Sequence, residues 1–103
     1  MESINNPGID IWHKVFKKDE NIVARKIAGE FFLVPIRGKL ADMQKIFTLN
    51  PVAEYIWQEI DNQKSLPDIC NGIMSAFHVK KDQAESDVRE FVTELLAEDL
   101  IKE

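Results

Sequence analysis

The sequence predicts an α+β domain in which a three-stranded antiparallel sheet is followed by three helices. Two observations carry this prediction. Between residues 22 and 49, short runs rich in apolar and β-branched residues are separated by turn or polar segments, which is typical of strands. After residue 49, apolar residues recur with a period of about 3.6, which is typical of amphipathic helices. The length of 103 residues fits one domain.

Three strands are predicted between residues 22 and 49. Residues 22–27 and 31–36 form a hairpin around a tight turn. Pro35 cannot donate a hydrogen bond to a sheet and therefore belongs at a strand end or on an edge. A polar connection follows over residues 37–42, and residues 43–49 are predicted as the third strand.

Each predicted helix begins at a recognisable signal. Asn50 is a suitable N-cap, and Pro51 fits the first helical position, where no backbone N–H is needed. Ser65, followed three residues later by Asp68, has the spacing of a capping box. Residues 82–85 have a similar arrangement and are predicted to open the third helix.

Each helix also carries one apolar stripe, which predicts its buried face. The stripes consist of Val52, Ala53, Ile56, Trp57 and Ile60 in the first helix, Leu66, Ile69, Cys70, Ile73 and Phe77 in the second, and Ala84, Val88, Phe91, Val92, Leu95 and Leu96 in the third. Gly72 interrupts the second helix, where glycine costs about 1 kcal/mol relative to alanine. The short connection over residues 78–81 predicts a helix-turn-helix unit, and with the sheet beside it the architecture is of the winged-helix type.

Residues 1–21 are predicted to form a mostly flexible arm, so that the folded domain spans residues 22–103. The arm begins with polar residues and contains the breaker sequence of residues 5–8. A second interpretation stays open, in which the arm lies as a strand on a sheet edge of the same or a neighbouring chain. That interpretation rests on five apolar residues of the arm, Ile9, Ile11, Trp12, Val15 and Phe16.

The charge of the chain is divided unequally. The whole sequence carries a net charge of −5, yet residues 1–49 hold eight Lys and Arg against six Asp and Glu. Residues 50–103 hold five against twelve, and between residues 82 and 99 seven carboxylates face the single cation Arg89. Affinity for nucleic acid depends mainly on Lys and Arg at the phosphates, so the helical part is not expected to bind it.

Residues that usually carry catalysis are sparse and scattered. His13 and His78 have no second ligand at the spacing of a metal site. Cys70 lies on an apolar stripe, where a thiol usually behaves as a small hydrophobic group, and a single cysteine excludes an internal disulfide. We therefore expect no enzymatic activity, no metal and no cofactor.

Without a membrane-length apolar run or a signal-peptide pattern, the chain is expected to be cytoplasmic.

The remaining capacity is binding. An exposed strand edge presents unpaired N–H and C=O groups that accept an extended peptide. In the third strand, Ile46 is apolar on the face opposite Phe47 and Leu49, so both faces need cover. The apolar stripe of the third helix spans about 140° at 100° per residue, which is wide enough to leave one side as the wall of a groove. The alternative is that a small core uses the whole stripe.

Four segments in a fixed order resemble the PqqD family. They are Leu49-Asn50-Pro51-Val52-Ala53, then Ile56-Trp57, then Ser65-Leu66-Pro67-Asp68-Ile69, and finally Asp87-Val88 with Phe91, Leu95 and Leu96 before Leu100-Ile101. The resemblance lies in the order and spacing of these segments and covers about residues 22–103. The arm lies outside it.

The resemblance implies a peptide-recognition element of a pathway that modifies ribosomally made peptides. Such domains have a winged-helix fold and no catalysis of their own. The leader of a precursor peptide adds as a strand beside the third strand, packs against the third helix and is presented to a modifying enzyme, often a radical S-adenosylmethionine protein. Carried onto this chain, the peptide-binding residues are Gln44, Lys45, Ile46, Phe47 and Thr48 on the strand and Asp87, Val88, Phe91, Val92 and Leu95 on the helix.

Two other functions stay open at this point. One is a winged-helix regulator that binds DNA, which requires a basic recognition element that the acidic third helix lacks. The other is a dimerisation or scaffolding domain in which the arm pairs with a sheet edge, so a homodimer is left open. The sequence does not specify the precursor peptide, the modifying enzyme, the product or the oligomeric state, nor whether the pathway is PQQ synthesis or another.

Overall fold

The structure, a computed structural model, describes residues 11–103. Its elements in chain order are β1 (Lys17–Lys18), β2 (Ile22–Ile27), β3 (Glu30–Pro35), α1 (Lys39–Asp42), β4 (Phe47–Leu49), α2 (Pro51–Glu59), α3 (Leu66–Phe77), α4 (Lys81–Ala97) and β5 (Ile101–Lys102). The predicted α+β class, with an antiparallel sheet followed by three main helices, is confirmed.

The main sheet has the strand order β2-β3-β4, and both pairs of neighbours are antiparallel. Ile27 pairs with Glu30, so the hairpin of β2 and β3 closes through the two residues Ala28 and Gly29. Their φ angles are 52° and 83°. Two-residue hairpin turns of this type need positive φ at both central positions, and glycine adopts it without steric cost.

The core lies between one face of this sheet and the helices α2, α3 and α4. Leu33 of β3, Ile56 of α2, Ile73 of α3 and Val88 of α4 are all 0% exposed. Most residues of the predicted apolar stripes therefore face inward. Cys70 is 3% exposed, as expected for a core residue, and burial raises the pKa of its thiol.

Two of the three predicted helix starts are confirmed. The side chain of Asn50 accepts a hydrogen bond from Ala53 N at 2.8 Å, and Pro51 is the first residue of α2. Ser65 and Asp68 form the predicted capping box at the start of α3, each side chain accepting from the backbone N–H of the other.

The capping box predicted for the third helix is wrong. Helix α4 begins at Lys81, and its N-cap, Lys80, makes no side-chain capping bond. Asp82 consequently lies inside the first turn, where its carboxylate still interacts favourably with the helix dipole but does not cap it. The side chain of Gln83 instead donates to Asp87 at 2.8 Å, one helical turn further on.

Residues 11–21 differ from the flexible arm predicted for them, because they pack onto the domain. Phe16 is 2% exposed and belongs to the core. Strand β1 pairs with β5 at the other end of the chain, and Asp19 N donates to Leu100 O at 2.9 Å. The prediction of a flexible arm rested on its polar composition, and composition does not indicate contacts with residues at the other end of the chain. Residues 1–10, including Ile9, lie outside the described part of the chain.

Within residues 11–103, no helix is long and apolar enough to cross a membrane.

The contact between α2 and α3 explains the glycine in the middle of α3. A Cβ at Gly72 would occupy the position of the Tyr55 hydroxyl and lie 3.1 Å from Tyr55 Cζ. The Tyr55 ring is itself fixed by an edge-to-face contact with Phe77, with centroids 5.8 Å apart. Close helix packing therefore outweighs the helix propensity that alanine would supply at this position.

We predict that Gly72→Ala destabilises the protein by about 1 kcal/mol, because an overpacking cost of about 1–3 kcal/mol exceeds the gain in helix propensity. Urea denaturation measures the free energy of unfolding. The matched control makes the same substitution in a Tyr55→Phe background, where removal of the hydroxyl should reduce the cost. A Gly72→Ala variant more stable than the parent would contradict this packing argument.

The turn between α2 and α3 is held by one carboxylate. Asp61 accepts hydrogen bonds from the backbone N–H groups of Gln63 at 3.0 Å and Lys64 at 2.9 Å, and from the Lys64 ammonium at 2.9 Å. These bonds stabilise the ionised form and lower the pKa of Asp61 to about 2, the largest contribution coming from the Lys64 backbone N–H.

Because the pKa of Asp61 is lower in the folded chain than the unfolded value of about 3.9, its ionised form stabilises the fold above about pH 4. That contribution is lost as the pH falls towards 2. We predict that Asp61→Asn lowers the thermal midpoint at pH 7 and that the difference from the parent shrinks between pH 4 and pH 2. A difference that stays constant over this range would show that Asp61 acts without its charge.

Candidate binding groove

Strand β4 lies at the edge of the main sheet. It is the last strand in the order β2-β3-β4 and pairs only with β3 on its inner side. In the part of the chain that the structure describes, its outer side therefore has no strand partner.

The direction of the hydrogen bonds along β3 follows from one contact beside it. Ile36 N donates to Asn21 O at 2.8 Å, so the residue just after β3 directs its backbone groups toward the side of β2. Backbone N–H and C=O groups alternate in direction along an antiparallel strand. The even-numbered residues of β3 therefore face β2, and the odd-numbered Phe31 and Leu33 face β4.

This alternation decides which groups of β4 are available. Phe31 pairs with Leu49 and Leu33 pairs with Phe47, so the N–H and C=O groups of these two β4 residues are used within the sheet. Thr48 lies between them, and its N–H and C=O therefore point away from β3. The outer edge of β4 thus presents the donor and the acceptor of Thr48.

Strand β4 is shorter than the predicted strand of residues 43–49. Gln44 has a φ of 57°, and Lys45 N donates to Leu40 O at 3.0 Å, so the chain is folded back on α1 just before β4. Extending the register of β3 and β4 would place Lys45 opposite Pro35, which has no N–H to donate. The assignment of residues 43–46 to the strand is therefore wrong.

A groove of about 560 Å³, here called the main groove, lies between β4 and α4. Its lining combines apolar residues with two carboxylates of α4, namely Leu33, Ile46, Phe47, Thr48, Leu49, Asn50, Ala53, Phe91, Glu94, Leu95, Ala97, Glu98 and Leu100. The available backbone of Thr48 thus lies beside an apolar cleft.

A smaller groove of about 300 Å³, here called the small groove, lies between α2 and α4. It is lined by Asn50, Val52, Ala53, Ile56, Asp87, Glu90, Phe91 and Glu94. Asn50, Ala53, Phe91 and Glu94 line both grooves, so the two are adjacent parts of one surface.

The structure brings most of the predicted site residues to these grooves. Ile46, Phe47, Thr48, Phe91 and Leu95 line the main groove, and Asp87 lines the small one. Lys45 lines neither groove, but its ammonium is 3.5 Å from the carboxylate of Glu98 and 5.6 Å from the centre of the Phe47 ring, both of which line the main groove.

Besides Lys45, three predicted site residues line neither groove. Val88 and Val92 are 0% exposed and belong to the core, because the wide apolar stripe of α4 has one side inside the domain and only the side with Phe91 at the groove. Gln44 is exposed in the turn before β4 and lines neither groove.

Sequence reasoning missed several residues of the grooves. Glu94 and Glu98 follow Phe91 by three and seven residues, which places all three on one helix face. This spacing could have placed Glu94 and Glu98 beside Phe91. Carboxylates on a helix are usually solvated, however, so the spacing alone does not assign them to a groove. Leu100 had no comparable signal, because it follows the end of α4 and turns back toward β4.

The electrostatic character of the two grooves is acidic. Asp87, Glu90, Glu94 and Glu98 contribute carboxylates, and no Lys or Arg among residues 11–103 lines either groove. Phosphate groups would be repelled from such a surface, so a DNA-binding role is not favoured for it.

An edge strand with outward backbone groups beside a groove that is partly apolar has the features to which an extended chain segment can add as a strand. The family model of coenzyme PQQ synthesis protein D (PqqD) matches residues 30–101, and the chain belongs to this family. The predicted resemblance is therefore confirmed.

Two solved structures share the fold. TbiB1 in complex with the TbiA(beta) leader peptide superposes with a TM-score of 0.68 at 23% identity, covering 84% of this chain and 94% of that chain. Lasso peptide synthetase B1 complexed with the leader peptide superposes with a TM-score of 0.72 at 21% identity, covering 87% of this chain and 100% of that chain. No curated protein matches the chain.

We predict that the amide of Thr48 exchanges with solvent at least about tenfold faster than the amides of Phe47 and Leu49, because only the latter two are bonded within the sheet. Hydrogen exchange of the free protein followed by NMR measures all three rates. Equal protection of Thr48 and Leu49 would show that the outer edge of β4 is already paired, for example with a second copy of the chain.

Proposed function

We propose that this protein binds the leader segment of a ribosomally made precursor peptide by strand addition to β4. The observation that carries the proposal is the outward donor and acceptor of Thr48 beside the main groove. Membership of the PqqD family supports it, and so do two similar folds whose structures are complexes with leader peptides.

The two parts of the site contribute differently to binding. Each backbone hydrogen bond to β4 contributes about 0.5–1.5 kcal/mol, whereas ordering each peptide residue costs about 1–2 kcal/mol. Backbone bonds alone therefore do not hold the peptide. An apolar side chain buried in the main groove adds about 1.5–3 kcal/mol, so the groove supplies the remaining affinity and selects the sequence.

The proposed role is presentation of the peptide, with no chemistry performed by this chain. A modifying enzyme would act on the core of the precursor while the leader stays bound to β4. A radical S-adenosylmethionine enzyme is the partner that the family resemblance implies, and the proposed compartment is the cytoplasm. The grooves described here serve the peptide, so the enzyme would contact another part of the surface.

We predict that Thr48→Pro weakens binding of the leader at least about fivefold. Proline removes the outward N–H and leaves one peptide carbonyl unpaired, a loss of about 1 kcal/mol or more, and it is tolerated at an edge position whose N–H faces away from the sheet. Isothermal titration of the parent and the variant with a synthetic leader peptide measures the affinity.

The matched control is Thr48→Val, which keeps the N–H and nearly the same shape and should bind within about twofold of the parent. Equal affinities of the proline and valine variants, with both folded by circular dichroism, would reject strand addition at Thr48. In the parent, NMR shift changes that exclude residues 46–49 and the groove side of α4 would reject the site as a whole.

A further inference from the structure

We infer that the small groove is a subsite for a Lys or Arg side chain of the bound peptide, two residues away from an apolar side chain held in the main groove. The inference rests on the proposed function and deepens it by naming the chemical class of peptide that the chain selects.

The first support is the composition of the small groove. Its lining includes three acidic residues, Asp87, Glu90 and Glu94, together with apolar residues such as Val52 and Phe91. A long cationic side chain matches both features, because its aliphatic stem packs on apolar surface while its charged end reaches the carboxylates. The Phe91 ring adds a face on which an ammonium or guanidinium is also stabilised.

The second support is that no Lys or Arg of residues 11–103 lines this groove. By contrast, Glu98 of the main groove already has the Lys45 ammonium at 3.5 Å. The negative charge of the small groove is thus left for a ligand, whereas that of Glu98 is partly balanced within the protein.

The third support is the spacing of the two grooves. Strand β4 and helix α4 run in opposite directions, since Lys45 before β4 meets Glu98 late in α4, and Asn50 after β4 lines the small groove with Glu90. Counting its C-cap Glu98, the α4 residues that line the main groove are centred about 4.5 positions after those that line the small groove, which corresponds to roughly 7 Å along the helix at about 1.5 Å per residue. Side chains at positions i and i+2 of an extended peptide are also about 7 Å apart and point to the same face.

The test uses a phage-displayed library of random linear peptides and the purified protein. Selected binders should share an apolar residue and a Lys or Arg two positions apart, and a synthetic peptide with that pattern should compete with them. Binders that carry the apolar residue without the cation would overturn this inference and leave the proposed function intact. Failure to select any peptide that shifts the NMR signals of β4 would overturn both.

A pair of double variants isolates the role of the carboxylates. Glu90→Gln combined with Glu94→Gln should weaken binding of a selected peptide about three- to tenfold, as expected for two partly exposed charge contacts. Replacing the peptide cation by methionine should weaken binding to the parent by a similar factor and leave binding to the double variant unchanged. This thermodynamic cycle assigns the effect to the contact itself.

The matched control, Asp82→Asn combined with Glu85→Gln, removes the same charge from the same helix but outside both grooves. It should bind the selected peptide within about twofold of the parent, since distant exposed charges are screened. Thermal midpoints confirm that every variant is folded. Equal losses in the two double variants would reduce the effect to net charge and overturn the subsite.

Discussion

The pairing of β3 with β4 is the constraint on which the binding site depends. Phe31 and Leu33 direct their backbone groups toward β4. The N–H and C=O groups of Phe47 and Leu49 are therefore bonded within the sheet, and those of Thr48 point outward. A shift of one residue in this register would reverse the arrangement and turn Thr48 inward. The hairpin turn at Ala28 and Gly29 fixes the register of β3 with β2 and so determines which residues of β3 direct their backbone groups toward β4. Together with the register of β4, this decides which groups of β4 are exposed.

Helix α4 performs two tasks with its two sides. Val88 and Val92 are buried and hold the helix on the core, while Phe91 stands at both grooves. The carboxylates beside Phe91 cost little in an exposed position and give the grooves a charge that phosphate avoids and a basic side chain prefers. The residues that fix α4 on the core and those of the proposed recognition surface thus occupy neighbouring positions of one helix.

Much of the fold could be predicted because its signals are local. Asn50 and Ser65 cap their helices through residues only three positions away, and the apolar stripes follow a fixed helical period. The start of β4 is set instead by Pro35 on the neighbouring strand, which has no N–H for a longer β4. The burial of Phe16 likewise depends on contacts with residues far along the chain. The residues of α4 that reach the groove depend on the rotation of the helix against the sheet, which periodicity does not define.

The most direct test of the account is hydrogen exchange of the Thr48 amide in the protein saturated with its leader peptide. Strand addition predicts that this amide becomes protected on binding, together with alternate amides of the peptide, while the amides of Phe47 and Leu49 change little. A peptide that saturates the protein while Thr48 still exchanges at its free rate would contradict the central claim that the edge of β4 is where the guest chain binds.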